Sequence, residues 1–304
     1  MATTHLKLSA PFMHILFERC FVANKVDTQT SSFWLAFNPQ IDASLTGDEI
    51  NLSGYGFGEF RHSTIANHIK YGIPQLLCTS YKKQLIDPSL WVLGKTIANH
   101  QGRLFNFDMV RQILSLDSIL CSLPHKPKSC AVIGDGYGVM ASLLATKFPE
   151  SAIYSINLGK QLLFDAIYSV PGSREKVLIE KEFDPTPALY FVEADNAHLL
   201  KGRHIELFIN IASMQEMNES AIKAYFQLMR AQNIDSFLYC CNREEKHHPD
   251  GYVSKFDNYP WDKADKHTFN TVCPWYNELP TTIPPFWKKF DGPHRHALTQ
   301  LNRH

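Results

Sequence analysis

The strongest constraint in this chain is an alternation that starts near residue 129, where short apolar, β-rich runs are separated by amphipathic helical stretches. The runs are Ser129–Asp135, Ser151–Leu158, Ala188–Ala194, Ile205–Ser213 and Asp235–Asn242. Between them lie Gly138–Phe148, Gln161–Val170 and Glu216–Gln232, each with apolar residues at helical spacing. Strands that are apolar nearly throughout are buried on both faces, which calls for helices above and below a parallel sheet. The expected fold class is therefore α/β, a doubly wound, mostly parallel Rossmann-like sheet. Ligands of such sheets sit beyond the carboxyl ends of the strands, so the residues that end each run carry the functional information.

The preceding text reads differently. Ser63–Gly72, Leu90–His100 and Phe107–Leu120 have helical spacing, and Pro124 and Pro127 mark a linker. The expected division is a mainly helical N-terminal region, 1–125, and a sheet-bearing domain, 126–304, within a chain of 304 residues. Lys plus Arg and Asp plus Glu both number 30, and no basic block occurs, which argues against a nucleic-acid partner. The apolar stretch Pro11–Phe17 is interrupted by His14 and ended by Glu18 and Arg19, so no export signal is expected. No window is long and apolar enough for a membrane span, and a cytoplasmic location follows as the expectation. The 7 cysteines are scattered without a CxxC pair, which predicts free thiols and no structural zinc.

The first run ends in Gly134-Asp135-Gly136-Tyr137-Gly138 and opens a helix at Val139. A strand, a glycine-rich turn and a helix N-terminus let a ligand approach the backbone where N–H groups collect. A dinucleotide fingerprint would place glycine or alanine at position 139, where Val139 stands, so the turn favours S-adenosylmethionine over NAD. The second run ends at Asn157, where an acid usually holds the ribose hydroxyls; an amide can still donate to and accept from a diol. The third ends in Asp195-Asn196, read either as a partner for the adenine edge or as a helix cap. The fourth continues through Ala212, Ser213, Gln215 and Glu216, at the place where donor and acceptor would meet. Glu216 reads either as a base toward a hydroxyl or as a first-turn glutamate favoured by the helix dipole.

The motifs VIGDGYG and FINIASMQEMN, followed in order by FLYCCNREE, YPW and CPW, resemble the sugar O-methyltransferase family over about residues 100–300. Those enzymes have the class I, S-adenosylmethionine-dependent methyltransferase fold and belong to bacterial surface-glycan pathways. The resemblance implies that Gly134, Asp135, Gly136, Tyr137 and Gly138 form the cofactor turn, with Asn157 toward ribose, Asp195 and Asn196 toward adenine, and Ala212 and Ser213 alongside. It also implies that Gln215 and Glu216 face the acceptor. Two departures are visible: Val132 stands where an acid is common before the first glycine, and the ribose position carries Asn157.

Beyond Asn242 comes a long segment, to about His296, with no strong period and many aromatics, which reads as a lid. Tyr259, Trp261, Trp275, Tyr276 and Trp287 either offer faces to a sugar ring or pack the lid down, and His248 is a candidate base. The run from His294 to Leu301 is expected to close the sheet as its last, antiparallel strand. Adjacent histidines such as His247-His248 lack ligand spacing, so no metal site is expected, although a hydrated divalent cation leaves too little sequence trace to decide. The glycine cluster Gly54–Gly58 follows polar sequence and reads as a turn. The functional expectation is an O-methyltransferase acting on a sugar or glycan hydroxyl, with a homo-oligomer left open. The alternatives are an NAD-linked oxidoreductase and a non-catalytic binding protein that kept the fold.

Overall fold

The computed structural model describes residues 3–7, 11–22, 30–47, 49–53, 74, 76–169, 175–178, 187–281, 283–290 and 292–303. The expected helix at Ser63–Gly72 and the cluster Gly54–Gly58 lie outside the described residues. In the N-terminal region, helices Ser89–His100 and Phe107–Ser122 stand where helical spacing placed them. Three strands there were not anticipated: β1 (Thr3–Lys7), β2 (Asp42–Thr46) and β3 (Glu49–Ser53) form an antiparallel sheet in the order β1-β3-β2. The signal is brief. Ile50 and Leu52 are buried between exposed or half-buried neighbours, a two-residue period over one short strand.

The main sheet is the doubly wound, mostly parallel one expected. Its strands are β4 (Ser129–Ile133), β5 (Ala152–Asn157), β6 (Glu175–Leu178), β7 (Ala188–Glu193), β8 (Leu207–Ile211) and β9 (Phe237–Arg243). After β9 the chain forms two small hairpins, β10 (Glu245–His247) with β11 (Val253–Lys255) and β13 (Glu278–Pro280) with β14 (Trp287–Lys289). It also returns to the main sheet through β12 (Lys266–Val272) and β15 (His294–Gln300). Among the described residues the sheet is 8-stranded, in the order β12-β15-β9-β8-β4-β5-β7-β6. Strands from β9 to β6 are parallel, whereas β15 runs antiparallel to both β9 and β12.

Two expectations need correction here. The segment after Asn242 is not a structureless lid, and β15 is not the last strand, because β12 pairs on its outer side. Most residues of β12 are exposed, so it has no apolar run that would reveal it as a strand. Along β4 the side chains alternate between the two cores. Cys130 and Val132 pack on one face of the sheet, and Ala131 and Ile133 on the other. The first face is covered by helices Phe107–Ser122, Val139–Lys147 and Gly159–Tyr168, the second by helix Glu219–Arg230.

The lid aromatics divide by role. Tyr259 and Trp261 pack on Phe226 and Phe256, and Trp287 packs on Tyr81 and Phe107, so these rings fasten the segment to the body. Trp275 donates its indole N–H to Ser115 at 3.1 Å. A buried fork holds the far end: Arg230 donates through both Nη atoms to the two oxygens of Asp265, each at 2.8 Å, and also to the carbonyls of Pro260 and Asn302. No helix among the described residues is long and apolar enough to cross a membrane.

Removing one member of a buried, forked pair strands the other charge, at a cost of about 3–5 kcal/mol. Arg230→Ala is therefore expected to lower the unfolding free energy by that amount in urea titration. Arg230→Lys, which keeps the charge but loses the fork, should recover only part of it.

Candidate active site

The turn after β4 is built on left-handed backbone: φ is 71° at Gly134, 59° at Gly136, 97° at Tyr137 and 62° at Gly138. A side chain at Gly134 would strike Ser213, and one at Gly138 would come within 2.6 Å of the Asp165 carbonyl. At Gly136 a Cβ would meet nothing within 4 Å. Two of the glycines thus serve close packing, and the middle one leaves the backbone open. Tyr137 holds a conformation that is costly for a bulky residue. Its ring lies under the Arg103 guanidinium at 4.4 Å and against Tyr168, and its carbonyl accepts from Gln101 at 3.2 Å.

Two buried carboxylates organise this turn. Asp135 accepts from the backbone N–H of Met140 at 2.9 Å and Ala141 at 2.7 Å, capping helix Val139–Lys147 from inside the turn. Asp165, on helix Gly159–Tyr168, accepts from Tyr137 N at 2.8 Å and Gly138 N at 3.1 Å through one oxygen. Its other oxygen accepts from Ser155 Oγ at 3.1 Å and Asn157 Nδ2 at 2.9 Å. Burial, then the charge of Asp165, pushes the Asp135 carboxyl above its usual range. Burial does the same to Asp165, opposed first by the Asn157 hydrogen bond. An acid at position 157 would set a second carboxylate against this oxygen, which accounts for the amide found there.

The turn lines a cavity of about 600 Å³. The segment after β8 lines the same cavity and is held by a chain of side-chain hydrogen bonds. Asn210 donates to the Ile133 carbonyl and accepts from Met214 N, and Asn242 donates to Asn210 while accepting from Gln215 N. The Gln215 side chain accepts from Arg243 N at 2.7 Å, and its carbonyl lies 2.9 Å from His248 Nε2. Ala212 leaves β8 with φ 58°. Ser31 donates to the Glu216 carbonyl. Among the described residues the Glu216 carboxylate has no hydrogen bond or ion pair. Burial raises it to about 7 despite the nearby charges of Lys246 and Arg243.

Of the residues singled out from sequence, Gly134, Asp135, Gly136, Tyr137, Asn157, Ala212, Ser213, Gln215 and Glu216 all line this one cavity. Gly138 faces Asp165 instead. Asp195 lines a neighbouring cavity of about 360 Å³, which shares Ala194 and Tyr225 with the first. Asn196 and His248 line neither of these cavities. Asn157 does line the first cavity, yet both ends of its amide are engaged, with Asp165 and with Leu158 N. Of the lid aromatics proposed to face a sugar, Tyr276 is the one on the cavity wall.

Sequence reasoning missed Gln112, Gln161, Arg103, Arg111, Lys246 and His294, which also line the cavity. Polar residues inside apolar helical stretches, as at Arg111, Gln161 and Asp165, were the available signal. Among the described residues no group of three or more His, Cys, Asp or Glu is placed to hold a metal ion.

No family model matches the chain, and no curated protein matches it. Solved structures do. The chain is similar to a SAM-dependent methyltransferase of Leishmania major at 12% identity, covering 73% of this chain and 91% of that one with TM-score 0.44. It is similar to magnesium protoporphyrin IX methyltransferase of Synechocystis with bound SAM, at 12% identity, 64% and 78% coverage, and TM-score 0.38. A third similarity is to phosphoethanolamine N-methyltransferase 1 of Haemonchus contortus with phosphoethanolamine and S-adenosylhomocysteine. It has 14% identity, 79% and 50% coverage, and TM-score 0.35.

The contact between Asn157 and Asp165 gives a signed expectation. Asn157→Asp replaces a donor to Asp165 with a like charge, so it should cost more than about 2 kcal/mol at pH 8, where both groups ionise. The loss should shrink toward pH 5 as protons return. Urea midpoints of the variant and the parent across that range read it directly. A loss that does not change with pH contradicts the pairing.

Proposed function

We propose that this chain is an S-adenosylmethionine-dependent O-methyltransferase whose acceptor is a sugar hydroxyl, in a glycan or nucleotide-sugar intermediate. The observation that carries this reading is that one cavity is lined both by the open glycine turn and by Glu216, whose carboxylate has no partner among the described residues.

The donor set suits the cofactor. Gly136 leaves backbone open to the cavity, and two buried amide oxygens of residues on its wall, Gln112 Oε1 and Gln161 Oε1, have no hydrogen-bond partner among the described residues. A buried acceptor without a donor is costly, and a ligand carrying an ammonium and ribose hydroxyls supplies donors. Gln161 would take the ribose role that the engaged Asn157 leaves open, and Gln112 would face the ammonium. The walls made by Ala194, Ile156 and Leu158 are apolar enough to lie against a purine.

When bound, the cofactor supplies an electrophilic methyl group on a sulfonium. This chain supplies the rest. Glu216, in its ionised form, takes the hydroxyl proton onto a carboxylate oxygen as the acceptor oxygen gains the methyl group. Gln215 and His248 act as positioning residues, since their polar atoms hold Arg243 N and the Gln215 carbonyl. Ser31 fixes the backbone at Glu216 from the N-terminal side. Burial by the N-terminal region and the segment after β9 keeps bulk water from the reacting atoms.

Calorimetric titration with S-adenosylhomocysteine tests the cofactor assignment: saturable heat is expected, and its absence overturns the reading. With an acceptor in hand, Glu216→Gln should lower kcat about 10²-fold or more while leaving S-adenosylhomocysteine affinity unchanged. The parent rate should fall as pH drops through about 7, because protonation removes the base, and that limb should be lost in the variant. The same substitution should raise the thermal midpoint at pH 8. A carboxyl whose native pKa lies above its unfolded value loses stability as pH rises through the native value, and glutamine removes that loss.

A further inference from the structure

The acceptor end of the cavity carries more positive charge than hydroxyl chemistry calls for. Lys246 lines it and has no ion pair among the described residues; its ammonium stands 5.1 Å from the Phe33 ring. Arg243 lines the same wall, with its guanidinium 5.3 Å from the Phe290 ring. Arg111 lies deeper, between the rings of Phe107, Tyr276 and Phe290, and is paired with Asp108 at 3.1 Å. The remaining acid on this wall is Glu216, whose carboxyl burial raises to about 7, so its charge opposite Lys246 and Arg243 is only partial near neutral pH.

A second observation comes from His294. Its side chain is 0% exposed and lines the cavity, stacked on Tyr276 with centroids 4.9 Å apart, and among the described residues neither ring nitrogen has a hydrogen bond of normal geometry. Burial, then Arg243, pushes the imidazole down to about 3 and so keeps it neutral, with Arg111 and Lys246 adding to the effect and the Gly292 backbone opposing it. A neutral imidazole presents one N–H donor. An uncharged ligand adds no negative charge opposite Lys246, whereas an anionic oxygen meets the ammonium and lies within reach of the imidazole as well.

We propose that the acceptor is an anionic sugar, bearing a phosphate or a carboxylate that lies against Lys246, Arg243 and His294 and so presents a neighbouring hydroxyl to Glu216. This assignment rests on the methyltransferase reading above and deepens it by naming the acceptor's charge.

The test uses the full chain saturated with S-adenosylhomocysteine, so that the cofactor's own carboxylate is already in place. Inorganic phosphate, D-glucose 1-phosphate, D-glucuronate and D-glucose are titrated by calorimetry and thermal shift, with the parent and with Lys246→Ala. At least one of the anionic probes is expected to bind while glucose does not. Lys246→Ala should weaken the anion roughly tenfold or more without changing S-adenosylhomocysteine affinity. Lys246 is half-buried, and the unchanged cofactor affinity reports that the variant is folded.

Failure of all three anionic probes to bind, equal binding of glucose, or anion binding indifferent to Lys246 overturns the anionic-acceptor assignment and leaves the cofactor reading standing. Failure of S-adenosylhomocysteine itself to bind overturns both. Phosphate binding without glucuronate binding, or the reverse, supports the proposal and identifies which anion the sugar carries.

Discussion

Four hydrogen bonds converge on the carboxylate of Asp165, two from the glycine turn and two from strand β5. Tyr137, at φ 97°, has its N–H held by Asp165 and its ring clamped under Arg103, so these contacts offset the cost of its left-handed backbone. Ser155 and Asn157 fix the end of β5 to the same oxygen, so one buried acid aligns the first two strand ends of the site. The end of β8 is tied to β4 in turn, through Asn210 and the Ile133 carbonyl. Glu216 inherits its place from that second tie, by way of Asn242 and Gln215. The glycine turn and the segment that carries Glu216 are therefore both held by hydrogen-bonded side chains.

The N-terminal region completes the site. Gln101 donates to the carbonyls of Tyr137 and Tyr168, at 3.2 and 2.8 Å, and thus joins the turn to the helix that carries Asp165. Arg111 donates to the carbonyls of Trp275 and Glu278, each at 2.9 Å, and so secures the segment after β9. Arg19 forks onto Glu193 at the end of β7. Each of these side chains reaches from the first part of the chain to the turn, to a strand end or to the returning segment. The sheet alone would leave the cavity open to water on that side.

The parts legible in the sequence were those with an unambiguous physical signature. Strands β4, β5, β7, β8 and β9 are apolar on both faces, and both faces are buried. The glycine turn was visible because left-handed backbone and close approach demand glycine at those positions. Strand β12 was invisible because its outer edge and most of its side chains face solvent, so no apolar run marks it. Asn157 was read as a ribose ligand because of its place in the chain, but Asp165 determines its chemistry, and Asp165 sits in a helix whose pattern reads only as core. Gln112, Gln161 and His294 were missed for a related reason: a polar side chain on a buried face announces a partner without saying which.

The central claim is that the turn held by Asp165 seats the cofactor in the same cavity that presents Glu216. A crystal structure of the full chain grown with S-adenosylmethionine tests it most directly. The account predicts the ribose beside Gln161, the sulfonium above Gly136, and the transferable methyl directed toward Glu216 and Lys246. A cofactor seated elsewhere, or a methyl separated from Glu216 by protein, would contradict it.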